Sequence, residues 1–216
     1  MKKLILLVCL FLPMTVNGII ITEVQISGDS ASNCYIKIFN STDQDILLDG
    51  YKIRKKSATG KDYSIRAIPK GTLIKSQEHI LWANSRDGFS EKIKADIYST
   101  ATISKNNSIA IISPTGDIVD ALSWGSGEDQ YVLGDSFASN PDKNQIIKRY
   151  YVNGAYQNTK NNSKDFYLYP ETKKEIKINT STINNIADPP KSPTEMKITI
   201  SLFSAFLILI LKKSIY

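Results

Sequence analysis

The stretch YIKIFNSTDQDILLDGYKI, residues 35–53, alternates apolar and polar positions, breaks, and alternates again. On an extended chain Ile36 and Ile38 fall on one side, and Tyr35, Lys37 and Phe39 on the other. The polar run 40–45 reads as a turn, after which Ile46, Leu48, Tyr51 and Ile53 resume the apolar pattern. The same texture continues along most of the chain. IIITEVQI (19–26), NCYIKIF, ILLDGYKIRK, YSIRAI (63–68), EHILWAN (78–84), NSIAIIS (107–113), DIVDALSW (117–124), QIIKRYY (145–151) and DFYLY (165–169) are short Ile/Val/Tyr-rich runs between Gly, Pro, Asn and Asp. Such runs predict strands, and their number predicts an all-β sandwich over 19–170. No segment there sustains a helical period.

The two ends have a different texture. Residues 1–18 carry Lys2 and Lys3, then the apolar run Leu4–Leu12, then Pro13 and the small-side positions Val16 and Gly18. That order predicts a cleavable export signal. Residues 171–196 are rich in Lys, Thr, Asn and Pro and predict an extended polar stalk. ITISLFSAFLILIL (198–211) follows, bracketed by Lys197 and by Lys212 and Lys213. As a helix it would reach only ~21 Å, against a bilayer core of roughly 30 Å. Lysine stems that snorkel to the interface make up the difference. The expectation is a single-pass plasma-membrane anchor over 197–213. The domain then lies on the extracellular side and the C-terminus in the cytoplasm, as the positive-inside rule asks.

Charge changes meaning once these ends are set aside. The chain has 27 Lys+Arg and 21 Asp+Glu, but five of the lysines and none of the acids lie in the flanks. Residues 19–196 therefore hold 22 bases against 21 acids, and the high overall charge says little about a nucleic-acid partner. Cys34 is the one cysteine left after export, so stability must come from the core rather than from an internal disulfide. Its place in the alternation beside Ile36 predicts a buried thiol. Trp82 and Trp124 read as core packing.

Little in the chain points to chemistry. His79 is the single histidine, it has no nucleophile elbow to serve, and it is assigned no catalytic role. Asp117 and Asp120 differ by three positions, poor spacing on a strand for a carboxylate pair. Asn161, Asn162 and Asp165 offer a single carboxylate beside Lys160 and Lys164, which suits a capped loop better than calcium. No metal, cofactor or catalytic residue is expected. The candidate contacts are basic: Lys52, Arg54, Lys55 and Lys56 in one stretch, and Lys148 and Arg149 among Tyr150, Tyr151 and Tyr156 in another. Basic groups with aromatics suit DNA or a teichoic-type acidic polymer. A solvated face balanced by Glu128, Asp129 and Asp135 is the plainer reading.

Several of these stretches resemble one family in order and spacing. IITEV, the opening YIKIFNSTDQDILLDGYKI, IPKGTLIKSQEHILWAN, ISPTGDIVDALSWG, IIKRYY and TKNNSKDFYL are similar to successive segments of the lamin-tail domain, from Ile20 to about Leu168. The resemblance implies an immunoglobulin-like β-sandwich of the kind found in nuclear lamins and in bacterial exported proteins. It also implies a non-enzymatic binding or scaffolding role toward a protein or surface polymer. A binder of extracellular DNA or acidic polymer, accessory to nucleases or uptake, is the alternative; a hydrolase built on His79 is a third. Lys37 stands where members commonly carry an acid, and Ser113-Pro114 where Asp-Pro is frequent.

Overall fold

A computed structural model describes residues 18–170. The expected export segment, stalk and membrane anchor lie outside the described residues. Among those described, no helix is long and apolar enough to cross a membrane. The strands are β1 (Ile19–Gln25), β2 (Tyr35–Asn40), β3 (Ile46–Leu47), β4 (Lys52–Lys56), β5 (Asp62–Ala67), β6 (Leu73–Ile74) and β7 (His79–Asn84). They continue with β8 (Ile97–Ser99), β9 (Ser108–Ile112), β10 (Ile118–Ser123), β11 (Ile146–Arg149), β12 (Tyr151–Val152), β13 (Ala155–Tyr156) and β14 (Phe166–Tyr169). Two single-turn helices, α1 (Phe89–Lys92) and α2 (Asn162–Asp165), join them.

A six-stranded sheet, in the order β14-β11-β1-β2-β7-β8, packs against a four-stranded one, β10-β9-β4-β5. The core between them is built by the alternating positions. Ile36 and Ile38 of β2, Ile80 and Trp82 of β7, and Ile147 of β11 meet Ile53, Ile109, Ile111 and Leu122 of the smaller sheet. Cys34, Trp82 and Trp124 are fully buried, as their places in the pattern predict. The indole N–H of Trp82 reaches Ser99 Oγ at 3.2 Å, and that of Trp124 the Ser104 carbonyl at 3.0 Å, so neither polar tip is stranded. This is the expected all-β, immunoglobulin-like architecture.

The turns explain where the pattern misleads. ILLDGYKIRK is not one strand: β3 ends at Leu47, and the chain turns through Asp49 and Gly50 before β4. Gly50 has φ +79°, open to glycine at little cost. Asp49 and Asp45 do not close their own turn. They accept the backbone N–H of Gly71 at 2.6 Å and of Ser76 at 2.9 Å, and so fasten the two ends of the segment around β6. Asn40 is buried at the pivot, donating to the carbonyls of Gln44, Ile74 and Lys75 and accepting from Thr42. QIIKRYY likewise breaks, with β11 ending at Arg149 and the β12–β13 hairpin starting at Tyr151.

Candidate functional site: a buried arginine clamp and an aromatic sheet face

Arg149 is the first correction to the sequence reading. It follows Ile147 by two residues and so shares its inward face; it is 2% exposed and cannot touch a polymer. Its Nη2 donates to Asp120 Oδ2 at 2.7 Å, its Nε to the Ile21 carbonyl at 2.7 Å, and its Nη1 to the Gln157 carbonyl at 3.0 Å. Asp165 Oδ2 lies 3.4 Å from Nη1, and the guanidinium sits 4.3 Å over the Phe166 ring. Asp120 Oδ2 also accepts the Ile21 N–H at 2.8 Å.

The reason lies in β1. It pairs with β2 from Ile19 to Gln25, through a bulge between Ile21 and Glu23, but with β11 only over Glu23–Gln25. Ile21 lies beyond the last β11 rung, and its N–H and C=O are taken by the side chains of Asp120 and Arg149 instead. The ion pair thus replaces a missing rung and ties the edge strand β10 to β1. Burial pushes the Asp120 carboxyl up, with the Arg149 guanidinium pulling against it. Asp165 accepts the Thr159 N–H and hydroxyl, and Asn161 caps α2 by accepting from the Ser163 N–H, so the TKNNSKDF segment is a capped loop. Its Asn162 donates to the Ala121 carbonyl and accepts from the Ser123 N–H, closing part of the free edge of β10.

The remaining candidate bases do not form one patch. Lys52, Arg54 and Lys56 point outward from β4. Lys52 is exposed, Arg54 pairs with Asp62 at 2.8 Å, and Lys56 pairs with Asp129 at 2.8 Å while lying 5.0 Å over the Tyr131 ring. Lys55 corrects the expectation: it shares the inward side with Ile53, donates to the Thr102 carbonyl, and has its pKa lowered by burial. Lys148 belongs to the other sheet.

That other sheet carries the more organised surface. Its register aligns Tyr167, Lys148, Glu23, Lys37 and Leu81 in one row across β14, β11, β1, β2 and β7. Glu23 is the centre, 3.3 Å from Lys148 Nζ and 3.8 Å from Lys37 Nζ, and it accepts the Tyr35 hydroxyl at 3.2 Å. The adjacent row runs Tyr169, Ile146, Gln25, Tyr35, Ala83, Tyr98. Lys148 lies 5.1 Å over the Tyr169 ring, and Tyr150 stacks on Tyr167 at 4.7 Å. Glu23, Tyr35, Lys37, Leu81 and Ile93 line a hollow of about 240 Å³ in this face. Lys37, which departs from the resembled pattern, therefore forms an ion pair where an acid would repel Glu23.

At the far end of the face, His79 Nε2 is 3.0 Å from the Tyr156 hydroxyl, and its ring packs on Phe39 at 4.6 Å. Burial holds its pKa below the usual value; Lys37 acts in the same direction and Glu23 against it. A histidine with a depressed folded pKa is protonated more readily in the unfolded chain. Acidification from about pH 6.5 downward therefore favours unfolding. We expect the urea midpoint to fall between about pH 7.5 and 5.5, and His79→Gln to flatten part of that fall. An unchanged slope in H79Q would assign the acid sensitivity elsewhere.

The lamin tail domain profile matches residues 13–126, more than half of the chain. The chain belongs to the lamin tail domain family. The comparison with curated proteins gave no match. In this lamin tail domain the profile ends just after β10, yet β11 and β14 complete the larger sheet and supply Arg149 and Asp165 to the clamp. The partner of Asp120 therefore lies outside the matched stretch.

Proposed function

We propose that this lamin tail domain is a non-enzymatic binding module, exported and tethered to the plasma membrane by the apolar run 198–211. The observation that carries the binding role is the outer face of the six-stranded sheet. Its Lys148–Glu23–Lys37 row is ordered by strand register, and Tyr98, Tyr150 and Tyr169 around it are exposed. The export and tether rest on the sequence flanks: a basic and apolar start, a polar stalk, and an apolar run between lysines. The full chain should fractionate with membranes and resist carbonate extraction. A chain ending near Lys191 should appear in the medium, and its retention in the membrane pellet would refute the tether.

A second reading is favoured by one observation. Lys52, Arg54 and Lys56 occupy alternate outward positions of β4 beside Tyr131, an arrangement able to meet an acidic polymer. Retention on heparin that collapses between about 50 and 200 mM salt would support it. Loss of that retention in Lys52→Glu would locate it on β4.

A further inference from the structure

Resting on the binding-module reading, we infer that the outer face of the six-stranded sheet takes a polysaccharide of uncharged sugars. Tyr169 on β14 is 54% exposed with Tyr150 exposed just past β11, Tyr98 is exposed on β8 at the opposite edge, and Tyr151 on the β12–β13 hairpin is 62% exposed. A tyrosine ring offers a flat apolar surface with a hydroxyl at its wet rim, which matches the C–H face and hydroxyl edge of a sugar ring. The row between them supplies both kinds of hydrogen-bonding group. Glu23 accepts, Lys37 and Lys148 donate, and the three already hold one another in place.

The charge balance selects among ligands. Two lysines against one mostly buried glutamate leave this row with a net charge of only +1, and the carboxylate is at its centre. A phosphate or sulfate chain laid across the row would have to draw Lys37 and Lys148 away from the Glu23 carboxylate that already holds them. Peptide addition on this face fits no better, because the inner strands β11, β1, β2 and β7 already have a neighbour on both sides. Leu81, Ala83 and Ile146 are the aliphatic side chains in the two rows, too few to anchor an apolar peptide. What remains is a hydroxyl-rich chain lying over the tyrosines, with the hollow at Glu23, Tyr35 and Lys37 receiving one substituent.

The test is a pull-down of the full chain, in mild detergent, on insoluble chitin, cellulose and amylose, with heparin beads as the polyanion probe. Retention on at least one neutral polysaccharide is expected, unchanged between about 50 and 200 mM salt, a range that strips polyanion binders. Tyr151→Ala and Tyr169→Ala should each weaken it by about tenfold, the scale of one lost aromatic contact. Their urea midpoints should match wild type, since both rings are exposed. No retention on any neutral polysaccharide overturns the inference, as does binding to heparin alone. Retention that both tyrosine variants keep also overturns it. Failure of the tether would show separately, in the fractionation of the full chain.

Discussion

Replacing Arg149 by Met should destabilise the domain by about 3–5 kcal/mol, the cost of leaving a buried carboxylate without its cation. Asp120 and Asp165 would both lose the guanidinium, and the Ile21 carbonyl would lose its donor. A sharper result comes from the double replacement Arg149→Met with Asp120→Leu. Removing both members of a buried ion pair often restores stability, because the desolvation cost disappears with the charges. Here it should not. The pair also serves the N–H and C=O of Ile21, and each buried backbone group left unsatisfied costs about 1–3 kcal/mol. Urea unfolding of residues 18–170 measures both. An R149M variant within about 1 kcal/mol of wild type would mean the clamp is not a structural rung.

Truncating Ile38 to Ala should cost about 2–5 kcal/mol. The side chain is fully buried against the opposite sheet, and Ile36 on the same face behaves alike. Its neighbour Lys37 points the other way, into the row with Glu23 and Lys148. Lys37→Glu sets two carboxylates opposite each other on β1 and β2, a like-charge pairing worth about 0.2–1 kcal/mol. The two variants therefore separate the faces of β2. If Lys37→Glu unfolds the domain and Ile38→Ala is tolerated, β2 is paired one residue out of register, and the whole outer row moves with it.

These two sites show how far the sequence reaches. Alternation around Ile36 and Ile38 correctly turned Lys37 and Tyr35 outward, because a strand with one buried face leaves its period in the residues. The same rule places Arg149 beside Ile147, although its charge ordinarily argues for the surface. The burial becomes intelligible only once Asp120 is across the core, 29 residues earlier. The family resemblance covers both ISPTGDIVDALSWG and IIKRYY, but the meeting of Asp120 and Arg149 is a fact of topology. β6 and β8, with two and three residues, are too short to show a period. The aromatic face was the least legible. Tyr35, Tyr98 and Tyr169 lie in three distant segments and become one row only through the strand order β14-β11-β1-β2-β7-β8. No local pattern encodes that order.

Glu23 ties the fold to the proposed role. It stands just past the bulge that the clamp stabilises at Ile21, and the bulge sets which residues of β1 face outward. Loosening Arg149 should therefore disturb the Lys148–Glu23–Lys37 row as well as the core.

The proposed function has this lamin tail domain working outside the cell while held at its membrane. Protease added to intact cells producing the full chain tests it most directly, with a cytoplasmic protein followed in the same sample. Residues 18–170 are expected to disappear from intact cells while the cytoplasmic protein survives. A domain that stays whole until the cells are lysed would contradict it.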